Sequence, residues 1–249
     1  MFRTLFRRIL LLILLSSTFI FGQNMEVLPA ADNILWARYW LKFDVSKHIK
    51  VNEQFINQTF INGGFRERQI LNHLFVRYTG KKKEFYGLGL SYSNRWQDEN
   101  IEERLVMPED RTFEELGVGG KFGQDINSNA SLKLEQRFFH NASKEALMPG
   151  YFYKGRITYS HLLSKELNLK NTASFNGSVF YNIWDKEDHP SLNSIRTSVG
   201  LAHHFNTNVS LNLEYQLQMR KLKNYEKLTL DNVIRVSFMH TLQARKDHS

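Results

Sequence analysis

The chain has 249 residues, with 33 Lys and Arg against 25 Asp and Glu for a formal net charge of +8, no cysteine, four prolines and 13% aromatic residues. The positive charge is spread along the chain and never gathers into the basic stripe with interleaved aromatics that nucleic acid requires, which excludes a nucleic-acid partner. Lack of cysteine excludes disulfide bridges and a lipoprotein anchor, and few prolines with many Tyr and Phe suit a sheet protein.

Residues 1–22 have the three parts of a secretory signal peptide. Arg3, Arg7 and Arg8 give a charged start, an apolar run follows from Ile9 to Phe21, and Gly22-Gln23 offers a small-residue exit. The apolar run is well short of the ~20 residues a helix needs to cross a bilayer. Its removal leaves 227 residues (249 − 22) with a net charge near +5 (8 − 3), enough for one domain over 23–249.

Beyond residue 23 the recurring signal is alternation of apolar and polar residues. Eleven strands are predicted: 34–45, 48–60, 67–79, 83–96, 111–123, 128–140, 150–163, 166–184, 193–206, 208–220 and 228–242. In the tenth, Val209, Leu211, Leu213, Tyr215, Leu217 and Met219 alternate with Ser210, Asn212, Glu214, Gln216, Gln218 and Arg220. Each strand therefore has one greasy and one wet face. Their length exceeds the ~5–6 residues usual in soluble sheets and suits a tilted bilayer crossing of ~9–11.

The connections alternate in length. Short ones are expected at Ser46-Lys47, Gly80–Lys82, Gln124–Asn127, Ser164-Lys165 and Asn206-Thr207. Longer polar ones are expected at Gln58–Arg66, Gln97–Asp110, Asn141–Pro149, Asp185–Leu192 and Lys221–Lys227. Short periplasmic turns and longer outer loops are the pattern of Gram-negative outer-membrane barrels. The predicted fold is all-β, a closed antiparallel transmembrane β-barrel in the cell outer membrane. Even strand numbers are the rule for such barrels, so twelve strands are expected, the first drawn from Gln23–Ala31 and bent at Pro29, with ten as the alternative. Trp96 and Trp184 are expected at the outer interface and Tyr78 at the periplasmic one, with Trp36, Trp40, Tyr86, Tyr92, Tyr151, Tyr153 and Tyr159 completing the aromatic girdles.

Several short stretches resemble a known family. Glu135-Gln136-Arg137-Phe138, the hairpin Leu74–Tyr78 with Tyr86–Leu90, Ile195–Leu201 and Asp231-Asn232 are similar to segments of a Bacteroidetes-type outer-membrane barrel family, the domain of unknown function 2490 family. The resemblance spans roughly 34–242 and implies a barrel in the outer membrane. It implies no activity.

No residue is singled out as catalytic, cofactor-binding or metal-binding, and no cofactor is expected. His189, Ser191 and Asn193 share a polar loop rather than a strand, which suits ordinary loop polarity better than an activated serine. Ser160-His161 and His203-His204 are adjacent pairs whose members face opposite sides of a strand, so the histidines cannot chelate together. Gly117, Gly119, Gly120 and Gly123 lack the Lys-Ser/Thr ending of a phosphate loop, and tight packing accounts for them better. The candidates that remain line the lumen: Arg77, Arg95, Lys133, Glu135, Arg137, Lys154, Arg156, Arg196, Glu214 and Arg235. They leave open a non-enzymatic structural or interaction barrel, a small porin-like pore preferring anionic solutes, and an outer-membrane lipid hydrolase or acyltransferase. Outer-membrane lipid is the expected partner in each case. A closed lumen would have Glu135 and Glu214 each bridged to Arg or Lys; an open one would leave charges on facing strands without partners.

Overall fold

The computed structural model describes residues 26–28, 32–62, 66–96, 106–122, 125–140, 151–185, 191–221 and 227–244. The signal peptide expected over residues 1–22 lies outside them. All regular structure among the described residues is strand: β1 (Glu26–Leu28), β2 (Asn33–Asp44), β3 (Ile49–Phe60), β4 (Arg66–Thr79), β5 (Glu84–Trp96), β6 (Val106–Phe122), β7 (Ile126–His140), β8 (Tyr151–Asn168), β9 (Asn171–Asp185), β10 (Ser191–His204), β11 (Val209–Lys221) and β12 (Lys227–Gln243). Consecutive strands from β2 to β12 pair antiparallel, and β12 pairs with β2 in parallel from Asn232↔Asn33 to Gln243↔Asp44. That last pairing closes the sheet into a barrel of eleven staves and leaves no free edge.

The twelfth strand segment is present but is not a stave. β1 pairs in parallel with Lys227–Thr229, on the same flank of β12 that β2 occupies further along. The reason is in the sequence: Glu26-Val27-Leu28-Pro29-Ala30-Ala31 lacks period-two alternation, and Pro29 interrupts it after three residues. It extends the first stave instead of forming a hairpin with it. An odd stave count puts the two ends of the barrel wall at opposite rims.

The connections sort as expected. At one rim β2–β3, β4–β5, β6–β7, β8–β9 and β10–β11 are joined by two to four residues; at the other the links run from five to ten. Two boundaries differ from expectation. The β8–β9 turn lies at Leu169-Lys170 rather than Ser164-Lys165, and both of those residues stay in the ladder (Ser164↔Ser174, Lys165↔Ala173). Asn168 makes the turn, its Oδ1 accepting the backbone N–H of Lys170 and of Asn171 at 2.9 Å each. β6 begins at Val106 rather than 111, because Pro108 stands near the strand start, where one missing N–H costs the ladder little.

The two faces of the wall separate cleanly. Leu88, Leu90, Val199, Leu213 and Tyr215 point outward with half or so of their surface open, while Ile34, Phe75, Phe113, Phe139, Phe180 and Val233 point inward and are buried. Inside, large rings lie over glycines on the next strand. A Cβ on Gly89 would meet Phe113 Cζ at 2.1 Å, and one on Gly117 would meet Phe85 Cζ at the same distance. This is the packing expected of the glycine stretch at Gly117, and Gly119 is similarly close to Asn129 Oδ1 at 2.9 Å. Gly120 has open space instead, and Gly123 lies outside the described residues. Tyr78 and Tyr86 face outward as register partners at the short-turn rim. Trp36 and Trp40, expected in the girdles, point into the lumen: their even positions on β2 share the face of Arg38 and Lys42, and aromatic rings there hold cations. The side chains of Trp184, Tyr151 and Tyr153 lie outside the described ones.

Candidate functional site

The lumen is built by register. Because successive residues point to opposite sides, one inward residue on each strand fixes the rest. Arg77, Arg95, Lys133, Glu135, Arg137, Lys154, Arg156, Arg196, Glu214 and Arg235 all occupy inward positions.

Near the long-loop rim Glu109 is 1% exposed and gathers three guanidinium groups. Arg111 grips it with a two-toothed fork at 2.6 and 2.9 Å, Arg137 Nε donates at 2.5 Å, and Arg95 stands at 3.8 Å. One step toward the middle, Glu135 (2% exposed) accepts from Arg156 and pairs with Lys133 at 3.0 Å. Across the lumen Arg235 donates to Glu214 at 3.0 Å and to Gln216 at 2.8 Å. Arg220 holds the fully buried Asp231 through two bonds and reaches Asp32 at 3.2 Å. Lower down, Arg77 donates to Glu115 at 2.7 Å. Glu135 and Glu214 are thus both bridged, the arrangement expected of a closed lumen. Buried carboxylates are tolerable only when matched in this way.

Aromatic rings hold cations as well, with or without a carboxylate beside them. Arg196 lies 4.2 Å from the Phe180 centroid and 5.6 Å from that of Trp36, which Arg235 also approaches at 4.4 Å. Trp36, Ile34, Phe60 and Val233 form the apolar core of the lumen, so the guanidinium groups sit on a packed floor.

Glu109 and Arg111, the centre of the tightest cluster, were not among the sequence candidates. Glu109 fell in a stretch expected to be loop, although Glu109, Arg111, Phe113 and Glu115 share one parity with Lys121 and could have been followed backward. Of the other candidates, His189 lies outside the described residues and Ser191 begins β10. Ser160 bonds Ser178 at 3.0 Å inside, while His161 meets Ser128 at 2.8 Å outside. His203 and His204 bond Asn171 and Thr172 from opposite faces. The Ser128–His161 pair was not foreseen, because its members are 33 residues apart. No third group holds the other ring nitrogen of His161 among the described residues, so the pair lacks the orienting partner an activated serine uses. No cluster of three His, Cys, Asp or Glu able to hold a metal occurs among the described residues.

Neither curated proteins nor solved structures give a match. A family model described as "Protein of unknown function (DUF2490)" matches residues 33–229, from the first stave through β11 to the start of β12. With its eleven-stave barrel and the match spanning most of its length, the chain belongs to the DUF2490 family.

Proposed function

We propose that this chain spans a Gram-negative-type outer membrane after export by residues 1–22, and that its lumen is closed. Its role is then structural or interactive rather than transport or catalysis. The observation that carries this reading is the division of the wall into a greasy outer face and an ion-paired inner one. Leu88, Leu90, Leu213 and Val199 are 64, 60, 56 and 55% exposed. A soluble monomer rarely presents a continuous apolar girdle of this kind, whereas hydrocarbon covers it without cost. Inside, Glu109, Glu135 and Asp231 are at most 2% exposed, each clamped by arginine, which suits a plug of side chains better than a water-filled channel. Eleven staves are also fewer than the 16–18 of wide porin channels.

Purified full-length protein tests the membrane part of the reading. It should fold only with detergent or lipid present; a folded, monodisperse species in plain buffer would overturn it. A lipid-hydrolase reading has one observation in its favour, the outward Ser128–His161 pair. Hydrolysis of phospholipid by the folded barrel, abolished by Ser128→Ala, would replace the structural role with that one.

A further inference from the structure

The charge pattern of the lumen changes at the short-turn rim. Around the Arg77–Glu115 pair the lumen holds a cavity of about 780 Å³, within the ~300–1,000 Å³ range of small-ligand sites. Its charged lining consists of Lys42, Lys47, Lys50, Arg77 and Lys83 against the single acid Glu115. Cations outnumber acids higher in the barrel too, but there each buried carboxylate is clamped among them, whereas here five cations share a single lining acid. Arg77 takes Glu115 at 2.7 Å and Lys50 takes Asp44 at 3.3 Å, which leaves Lys42, Lys47 and Lys83 with no carboxylate within ion-pair distance among the described residues.

Of these three lysines, Lys42 has its side chain held by an aromatic ring and Lys83 has its backbone fixed in a tight turn. Lys42 Nζ lies 4.0 Å from the Trp40 centroid, and that ring is itself fixed by its N–H donating to Asn52 Oδ1 at 3.2 Å. Lys83 is the one non-glycine residue at positive φ (64°) among the described residues, in a turn closed by its N–H to Gly80 O at 3.2 Å. Glycine or asparagine adopts that conformation far more readily, so a lysine there is kept at a cost in backbone energy. Neutral donors from Asn52, Asn129 and Ser131 share the cavity. Lys42 lies in the field of Lys50 and Arg77, and the exposed Lys47 and Lys83 stand at the cavity mouth, so the cavity attracts an anion. A lumen that served stability alone would have no need of such a site.

We propose that this vestibule binds a soluble polyvalent oxyanion of the phosphate-ester or diphosphate class, with Lys42, Lys47 and Lys83 as its cationic contacts. The ligand is soluble because the closed wall separates the lumen from the bilayer. With ion pairs filling the barrel above, the site retains the anion rather than passing it on. The inference rests on the proposed function only for which compartment the mouth faces.

The test is calorimetric titration of the refolded full-length barrel in detergent with inorganic pyrophosphate. One saturable site is expected, weakening as salt is raised. Lys42→Gln and, separately, Lys83→Asn should each weaken binding about tenfold, the loss expected for one charge-assisted contact. Asparagine keeps the turn conformation at position 83, so that variant remains informative should the first fail to fold. Lys165→Gln serves as control: Lys165 is at the same rim but on the outer face, beside Asp125 at 3.7 Å, and its loss should leave binding unchanged. Absence of saturable binding, or equal weakening by Lys165→Gln, would overturn the site. A barrel that inserts into vesicles but does not bind pyrophosphate refutes the site alone. One that binds pyrophosphate but stays folded without detergent refutes the membrane reading alone.

Discussion

Glu109→Gln is the most demanding perturbation of the lumen. The carboxylate is 1% exposed and is the shared counter-charge of Arg111, Arg137 and Arg95, at 2.6, 2.5 and 3.8 Å. Glutamine keeps the shape but removes the charge, so three guanidinium groups face one another with one amide oxygen between them. Breaking a single buried pair by removing one partner costs about 3–5 kcal/mol, and the loss here should reach at least that range. The assay is equilibrium urea unfolding of the refolded barrel in lipid, followed by tryptophan fluorescence, with Asp125→Asn in parallel. The Lys165–Asp125 pair is 51 and 71% exposed, and its loss should cost under about 1 kcal/mol. Near-equal losses for the two variants would refute the reasoning, because the cluster would then behave as though solvated. Glu135→Met combined with Arg156→Met should be milder than Glu135→Met alone, since exchanging a buried pair for apolar groups leaves fewer charges stranded.

Further predictions follow from the wall. Leu90→Arg, on a residue 60% exposed near the middle of β5, should destabilise the barrel in lipid by about 2–4 kcal/mol; no measurable change would argue against hydrocarbon on that face. Gly89→Ala should cost about 1–3 kcal/mol, because its Cβ would lie 2.1 Å from Phe113 Cζ and 2.6 Å from Phe75 Cβ, the latter unable to rotate away. Gly177→Ala, with nothing within 4 Å of the added Cβ, should be neutral or stabilising in the same unfolding assay. The chain has no cysteine, so single cysteines report sidedness directly. On intact cells an impermeant maleimide should label Asn62→Cys, between β3 and β4 at the long-loop rim, and leave Ser46→Cys, between β2 and β3 at the short-turn rim, unlabelled. The reverse pattern would invert the orientation.

The barrel was legible in the sequence because its signals are local. Period two along β11 or β5 needs no knowledge of the rest of the chain, and Asn-rich or Gly-Lys turns mark their own places. Inward placement of Arg77, Glu135, Arg196 and the other lumen candidates followed from parity alone. What depended on partners was hidden. The closure of β12 onto β2 joins residues 199 apart in sequence, as in the Arg38 to Ser237 bond, and nothing local marks a parallel seam. Trp36 and Trp40 looked like interfacial anchors because tryptophan favours that depth; only their cations, brought from β10 and β12 or from the same strand, explain why they turn inward. The convergence of Lys42, Lys47 and Lys83 depends on the β2–β3 and β4–β5 turns meeting at one rim, and each lysine alone reads as an ordinary solvated charge.

The central claim, a membrane-spanning barrel whose lumen is shut by ion pairs, is tested most directly by conductance. Folded protein reconstituted in a planar bilayer, with insertion verified separately, should give no single-channel steps under asymmetric salt. Stable anion-selective steps, reduced when Arg137 and Arg156 are neutralised, would contradict the closed lumen and establish a small pore in its place.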